Sequence, residues 1–427
     1  MRIALVAPSS NPLAEHLDPR SADEANRVTS LAQALARAGH RITIYARKDS
    51  SALPDSVILA PGVTVEHVTA GPQAPLDPDK LTAHLPEFSR CLAQRWRRNR
   101  PDIVHAHSWT MGLAALAGAR GLDLPVAQTF GSLGAAEWRD RPSVPPSDAR
   151  IRLEACIARS ADVVLASSAE ELADLARLGV PRAKIRVVPC GVDTEQFSPE
   201  GPVAERNGRI RLLAAEPLTA PDSLAIAVHA LAEIPDAELV ITGGPDRAKL
   251  SKDKNRRELM QLARKLGVHT RLAFTGRVAP ADLPALLRSA DLLVSTAPYE
   301  PVGMMALQAM ACGTPVIATA GGAARDAVVD MTTGLLMPPG RPAQLSVRIR
   351  RLLGNTLRHE AYGIAATDRA RSRYSWERIG RETLAAYARC VRQPAAAAAA
   401  DEIQSAPPQP APVGAAAPRR VPAGTPA

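Results

Sequence analysis

Two doubly wound α/β domains facing across a cleft are predicted for this 427-residue chain. Strand-length apolar runs alternate with helix-length runs along most of it, the pattern of parallel sheets with helices on both faces. The alternation falls into two series, separated near residue 200 by a stretch rich in turn-forming residues. The length suffices for two ordinary domains and a tail.

The first series begins with a strand at Arg2–Ala7 and a helix at Ala25–Ala38, whose apolar residues recur at helical spacing and which Gly39 ends. Arg41–Ala46 follows as a strand and Pro78–Asn99 as a helix. Ile103–Ala106 is a strand and Gly112–Gly118 an Ala-rich helix. Val126–Thr129, Val163–Ala166 and Ile185–Pro189 complete the series. Pro189-Cys190-Gly191-Val192-Asp193, then Phe197-Ser198-Pro199 and the run to Gly208, read as the linker. The second series has strands at Arg211–Ala215, Glu238–Thr242, Arg271–Thr275, Leu292–Ser295, Pro315–Ala318 and Gly334–Leu336. The domains are therefore 1–200 and 201–375, followed by a helix over Trp376–Arg392. Residues 393–427 are almost wholly Ala, Pro and Gly, lack the means to bury a core, and are expected to be disordered.

Composition narrows the function classes. Hydrophobic residues make up 46% of the chain, yet no run is long enough to span a membrane. Met1–Val6 is too short for a secretory core and reads as a first strand. The five cysteines are scattered without a C-x-x-C pair, which argues for a reducing compartment and against a disulfide frame or zinc site. Net charge is +9, but aromatics are only 3%, too few for base stacking, so no nucleic-acid partner is expected. Arg95-Trp96-Arg97-Arg98-Asn99-Arg100 has two readings: cations complementing a helix C-terminus, or a patch for anionic lipid or an acidic protein. The expected location is cytoplasmic, with peripheral contact at the inner membrane face as the second reading. Asp77-Pro78-Asp79 looks like a metal-binding D-x-D but stands where a loop enters a helix, so a turn and cap is the better reading.

The segment 299–318, Y-E-P-V-G-M-M-A-L-Q-A-M-A-C-G-T-P-V-I-A, carries the chemistry. Glu300 precedes Gly303, and a helix-forming run follows. A helix N-terminus beneath a loop offers free N–H groups and a positive dipole end to a phosphate. This segment resembles the E-x7-E region of the retaining glycosyltransferases of family 4. Four further segments agree: Pro101-Asp102-Ile103-Val104-His105-Ala106-His107, Val187-Val188-Pro189-Cys190-Gly191-Val192-Asp193 with Phe197 and Pro199, Gly243-Gly244-Pro245, and Thr333-Gly334-Leu335-Leu336. The likeness covers about residues 1–392.

The resemblance implies the GT-B fold, two Rossmann-like domains with the final helix returning to the first. It implies transfer of a sugar from a nucleotide-diphosphate donor to an unidentified acceptor with retention, without metal or other cofactor. It places Glu300 at the donor sugar and His107 at the sugar's reacting face. The amides of Gly303, Met304 and Met305 would receive the distal phosphate, Gln308 the ribose, and Gly243 and Gly244 would line the donor site. His105 reads as a hydrogen-bonded histidine at a strand end.

The chain departs from this family at several positions. Aligned without gaps, Pro217 and Asp222 replace an arginine and a lysine that pair with the diphosphate, and Gln308 replaces the second glutamate. Ala22-Asp23-Glu24 stands for a Gly-Gly-x loop, Gly131 for a frequent histidine, and Val302 for a phenylalanine. Two readings follow: an active transferase, or a degenerate homologue with an impaired donor site that acts as a binding or regulatory partner. A neighbouring Arg247, Lys249 or Arg277 reaching the vacated position would favour the first.

Overall fold

The computed structural model describes residues 1–7, 19–76, 78–140, 147–216 and 218–391. Eight strands build the first sheet: β1 (Arg2–Val6), β2 (Arg41–Arg47), β3 (Ser56–Ala60), β4 (Val63–Val68), β5 (Ile103–His107), β6 (Val126–Thr129), β7 (Val163–Ala166) and β8 (Ile185–Val187). Their spatial order is β3-β4-β2-β1-β5-β6-β7-β8, so chain order reverses direction between β1 and β5. All pairs are parallel except β3 with β4. The second sheet holds β9 (Ile210–Ala214), β10 (Ala237–Thr242), β11 (Leu272–Gly276), β12 (Leu292–Ser295), β13 (Val316–Thr319) and β14 (Gly334–Met337). Its order, β11-β10-β9-β12-β13-β14, reverses between β9 and β12. Ligands of open parallel sheets bind beyond the carboxyl ends of strands at such a reversal.

Burial explains the strands. Every residue of β5 is buried, as expected for a central strand covered on both faces. In β9, Leu212 and Ala214 enter one core cluster and Leu213 the opposite one, the two-residue alternation of a sheet with helices on each side. Met1–Cys390 packs as one compact unit.

Three elements differ from the sequence reading. The helix expected over Pro78–Asn99 is broken into a short turn at Pro78–Leu81, a 3-10 turn at Thr82–His84 and a helix at Leu85–Arg98. Pro86 explains the break: it lacks an N–H and is accommodated in the first helical turn, not in the middle. Asp77 lies outside the described residues. The hairpin β3–β4 was not anticipated, although Pro61-Gly62 and the alternation of Val63–Val68 are a hairpin signal. The last helix ends at Tyr387 rather than Arg392. The tail over 393–427 lies outside the described residues.

The returning helix Trp376–Tyr387 packs on the first helix, Pro19–Arg37, where Gly380 allows a close approach to Ala34. Val192 of the linker bridges Ser375 at the same crossing. Val192 and Trp376 also pack in the core cluster of the second sheet, so the linker and the returning helix meet there.

Candidate active site

The carboxyl end of β5 presents two histidines. His105 is fixed on both ring nitrogens: Nδ1 pairs with the Tyr387 hydroxyl at 2.7 Å and Nε2 with Thr129 Oγ1 at 2.9 Å. Burial drives its pKa down to about 3, so the ring is neutral. The His107 ring lies 4.2 Å from it, tilted by 39°. His107 is only 8% exposed, and its Nε2 is buried without a hydrogen-bond partner among the described residues. Burial holds its pKa well below the ordinary value, with further lowering from His105 and Arg27. Ser108 follows at φ 78°, a strained conformation for a residue with a side chain. That turn lets Ser108 cap the next helix, Trp109–Ala119, by accepting from the Met111 amide.

Arg27 reaches the same place from the first helix. Its charge acts on His107, on Glu171 and on Cys190. Its Nη2 lies 3.3 Å from where a Cβ on Gly131 would stand. Its Nε is buried and, among the described residues, unpartnered, as is Ser132 Oγ.

The second domain contributes the loop after β12. Tyr299 is 7% exposed and belongs to the first domain's core cluster with Phe130 and Leu133. This anchor ties the loop that carries Glu300 to the core around Phe130 and Leu133. The Glu300 carboxylate accepts from the Gly303 amide at 3.4 Å, and its carbonyl accepts from Ala323 at 2.7 Å. Gly303 is left-handed, φ 70°, and starts the helix Met304–Ala311. Its neighbours Met304 and Met305 head that helix with amides that have no acceptor among the described residues, as first-turn amides do. Gln308 sits one turn on, its Oε1 buried and unpartnered. Gly322 crosses the Glu300 backbone so closely that a Cβ would strike the Glu300 carbonyl oxygen. Its amide donates 2.7 Å to Glu170 of the first domain, while Asp326 accepts from Ala169 at 2.7 Å. Reciprocal carboxylate contacts thus bridge the domains beside the loop.

Gly243 and Gly244 follow β10 at φ 105° and 90°. A Cβ on Gly244 would meet Leu218 Cδ1 at 2.5 Å, so the turn needs glycine to pass the segment after β9. That segment contains Glu216, buried and fully engaged. It accepts from the Thr296 and Ala297 amides, from the Thr296 hydroxyl and from Ser223 Oγ. Strand register explains the meeting: Ala214 opposes Val294, so the residues two further on each strand face one another.

The departures from the family fall out unevenly. Pro217 lies outside the described residues, as do the side chain of Ala22 and the stretches 8–18 and 141–146. Asp222 is exposed in the first turn of the helix Pro221–Ala232, a favourable place for a carboxylate. Asp23 is exposed on the first helix. Arg277 pairs with Asp246 at 3.2 Å, and Arg247 and Lys249 are exposed on a 3-10 turn. Half the basic cluster is committed within the chain: Arg95 pairs with Glu66 at 2.8 Å, and Arg100 donates to the carbonyls of Leu122 and Asp123. Among the described residues, no helix is long and apolar enough to cross a membrane.

Sequence reasoning missed Arg27, Tyr299, Tyr387, Glu170 and Glu216. Only Glu216 had a local signal, since a carboxylate directly after a buried strand demands a partner.

A profile described as Glycosyltransferase Family 4 matches residues 25–196, and one described as Glycosyl transferases group 1 matches residues 215–369. The D-inositol 3-phosphate glycosyltransferase of Kribbella flavida is 32% identical over 414 residues, covering 90% of this chain and 95% of the relative. Among solved structures, the sucrose-phosphate synthase of Thermosynechococcus elongatus superposes with a TM-score of 0.79 at 27% identity, covering 91% of this chain and 98% of that one. Anabaena HepE, solved with UDP-glucose, superposes with a TM-score of 0.67 at 19% identity, covering 90% and 99%.

Proposed function

The chain belongs to glycosyltransferase family 4 and has the GT-B fold. From that premise we propose that it moves a sugar from a nucleotide-diphosphate donor to an acceptor hydroxyl with retention of anomeric configuration. The bond from the anomeric carbon to the leaving phosphate oxygen breaks. A bond to the acceptor oxygen forms on the same face, and the hydroxyl proton passes to the departing diphosphate.

The observation that supports this reading is a neutral, sequestered His107 Nε2 without a partner among the described residues, together with the helix N-terminus at Met304 in the second domain. A neutral imidazole meets a sugar hydroxyl without adding charge to an oxocarbenium-like centre. The amides of Met304 and Met305 receive the distal phosphate, joined by that of Gly303 once Glu300 turns from it to the donor sugar, and they act on charge that grows as the bond breaks. The unpaired Gln308 oxygen takes a ribose hydroxyl, and Gly243 and Gly244 let the chain approach the nucleotide. Glu300 accepts from donor-sugar hydroxyls. These groups need no metal or other cofactor to perform the step. The reaction is cytoplasmic in this reading, and Arg97 and Arg98 remain for an anionic membrane or an acidic protein. The name of the Kribbella relative points to a phosphorylated polyol as acceptor, and the HepE complex to UDP-glucose as the first donor to try.

Calorimetry of the full chain with UDP- and GDP-sugars, followed by a transfer assay with inositol 3-phosphate, tests the proposal. Saturable binding and turnover of one donor are expected. No binding at millimolar donor would overturn it. Binding without turnover of any acceptor would favour the binding or regulatory homologue instead.

A further inference from the structure

Three buried polar atoms without partners among the described residues come from the same part of the first domain: Arg27 Nε, His107 Nε2 and Ser132 Oγ. Leaving such atoms unpaired is costly, so natural folds pair nearly all of them. Three together mark a place prepared for something else. Arg27 forms no hydrogen bond or ion pair with any described residue. Its guanidinium reaches the 131–132 turn, and its charge is felt at His107. Among the acids its charge acts on is Glu171. Glu171 binds Ser167 through one oxygen, its other oxygen is unpartnered, and burial pushes its carboxyl up. Asp23 is exposed, four residues earlier on the same helix.

Gly131 makes the arrangement sterically feasible. With Nη2 only 3.3 Å from the Cβ position, a Cβ at 131 would shift the guanidinium by a few tenths of an ångström, and a side chain as long as histidine would compete for its space. Absence of a side chain at 131 and presence of an arginine at 27 are thus one feature. A guanidinium fork, a hydroxyl and a neutral imidazole together match a tetrahedral oxyanion.

We propose that Arg27, with Ser132 and His107 Nε2, receives a phosphate group of a substrate in the cleft. The inference rests on the transferase reading, but names a cation that neither the family resemblance nor the second domain supplies. The phosphate comes either from the donor diphosphate or from a phosphorylated acceptor, and binding separates these sources.

The test measures UDP and inositol 3-phosphate affinity of the full chain, wild type against Arg27→Gln and Arg27→Lys, with thermal melts to confirm folding. Arg27→Gln is expected to weaken one ligand about tenfold or more, and Arg27→Lys to restore part of the loss. Loss confined to UDP assigns the donor, and loss confined to inositol 3-phosphate assigns the acceptor. Gly131→His should reproduce the Arg27→Gln defect by displacing the guanidinium. If both ligands bind Arg27→Gln within about twofold of wild type, the proposal falls. If wild type binds neither ligand, the transferase reading fails separately. The phosphate site then stands or falls on whether inorganic phosphate shields Arg27 from phenylglyoxal, read by mass spectrometry.

Discussion

The two walls of the cleft handle buried polarity in opposite ways. In the second domain the buried carboxylate is spent: Glu216 accepts from two amides and two hydroxyls and has nothing left for a ligand. What that wall offers is backbone, the amides at the head of Met304–Ala311. In the first domain the side chains are unspent, with Arg27, His107 and Ser132 each carrying a buried atom without a partner. One wall is prepared by helix geometry, which any sequence with glycine at 303 could supply. The other is prepared by particular side chains held unsatisfied by their neighbours. Specificity should therefore reside in the first domain, and generic phosphate affinity in the second.

The largest test of this contrast is Glu300→Ala. Removal of the carboxylate should lower kcat/KM about 10²–10³-fold in the transfer assay while the fold melts within a few degrees of wild type. A stable variant with full activity would mean that the second wall contributes amides alone. Glu216→Ala should behave in the reverse manner. It strands two buried amides, so urea unfolding should show a loss of roughly 3 kcal/mol. A neutral result there would show that Glu216 is not the spent group described above.

The pH effect of the two histidines is of similar size. Their folded pKa values are lowered, His105 to about 3, whereas the unfolded chain takes up protons near pH 6.5. Their contribution is present above about pH 6.5 and is lost as pH falls toward the folded values, by about 1.4 kcal/mol per pH unit for each ring. Urea midpoints followed from pH 7 to pH 5 should show this slope, and His105→Gln should remove half of it. A flat profile would mean that the rings titrate in the fold as they do in the unfolded chain. Smallest is Tyr387→Phe, which removes one partner of His105 and should cost about 1 kcal/mol. A modest fall in kcat alongside it would show that the returning helix positions the histidine pair.

Much of the fold was legible because alternation and turn residues are local signals. The strands at the centre of both sheets were found within a residue or two. The hairpin β3–β4 was overlooked for want of weight on Pro61-Gly62, and the helix break for want of weight on Pro86. On the second wall, Glu300, Gly303 and the following helix could be read as one stretch, since a helix N-terminus is local. The first wall could not. His107 was visible through its motif, but Arg27 is separated from it by 80 residues and carries no motif of its own.

Sequence by itself determined the class of fold, the place of the helix after Gly303 and the family. All three depend on periodicity, glycine and short spacing within a few residues. Only the tertiary structure decided which polar groups are satisfied and which are left open. His105 is held by a tyrosine 282 residues away, Glu216 by amides 80 and 81 residues away, and Tyr299 by the core of the other domain. Hydrogen bonding saturates, so whether a buried atom is free depends on every neighbour the fold brings to it. No stretch of chain contains that information until the sheets have paired and the last helix has returned.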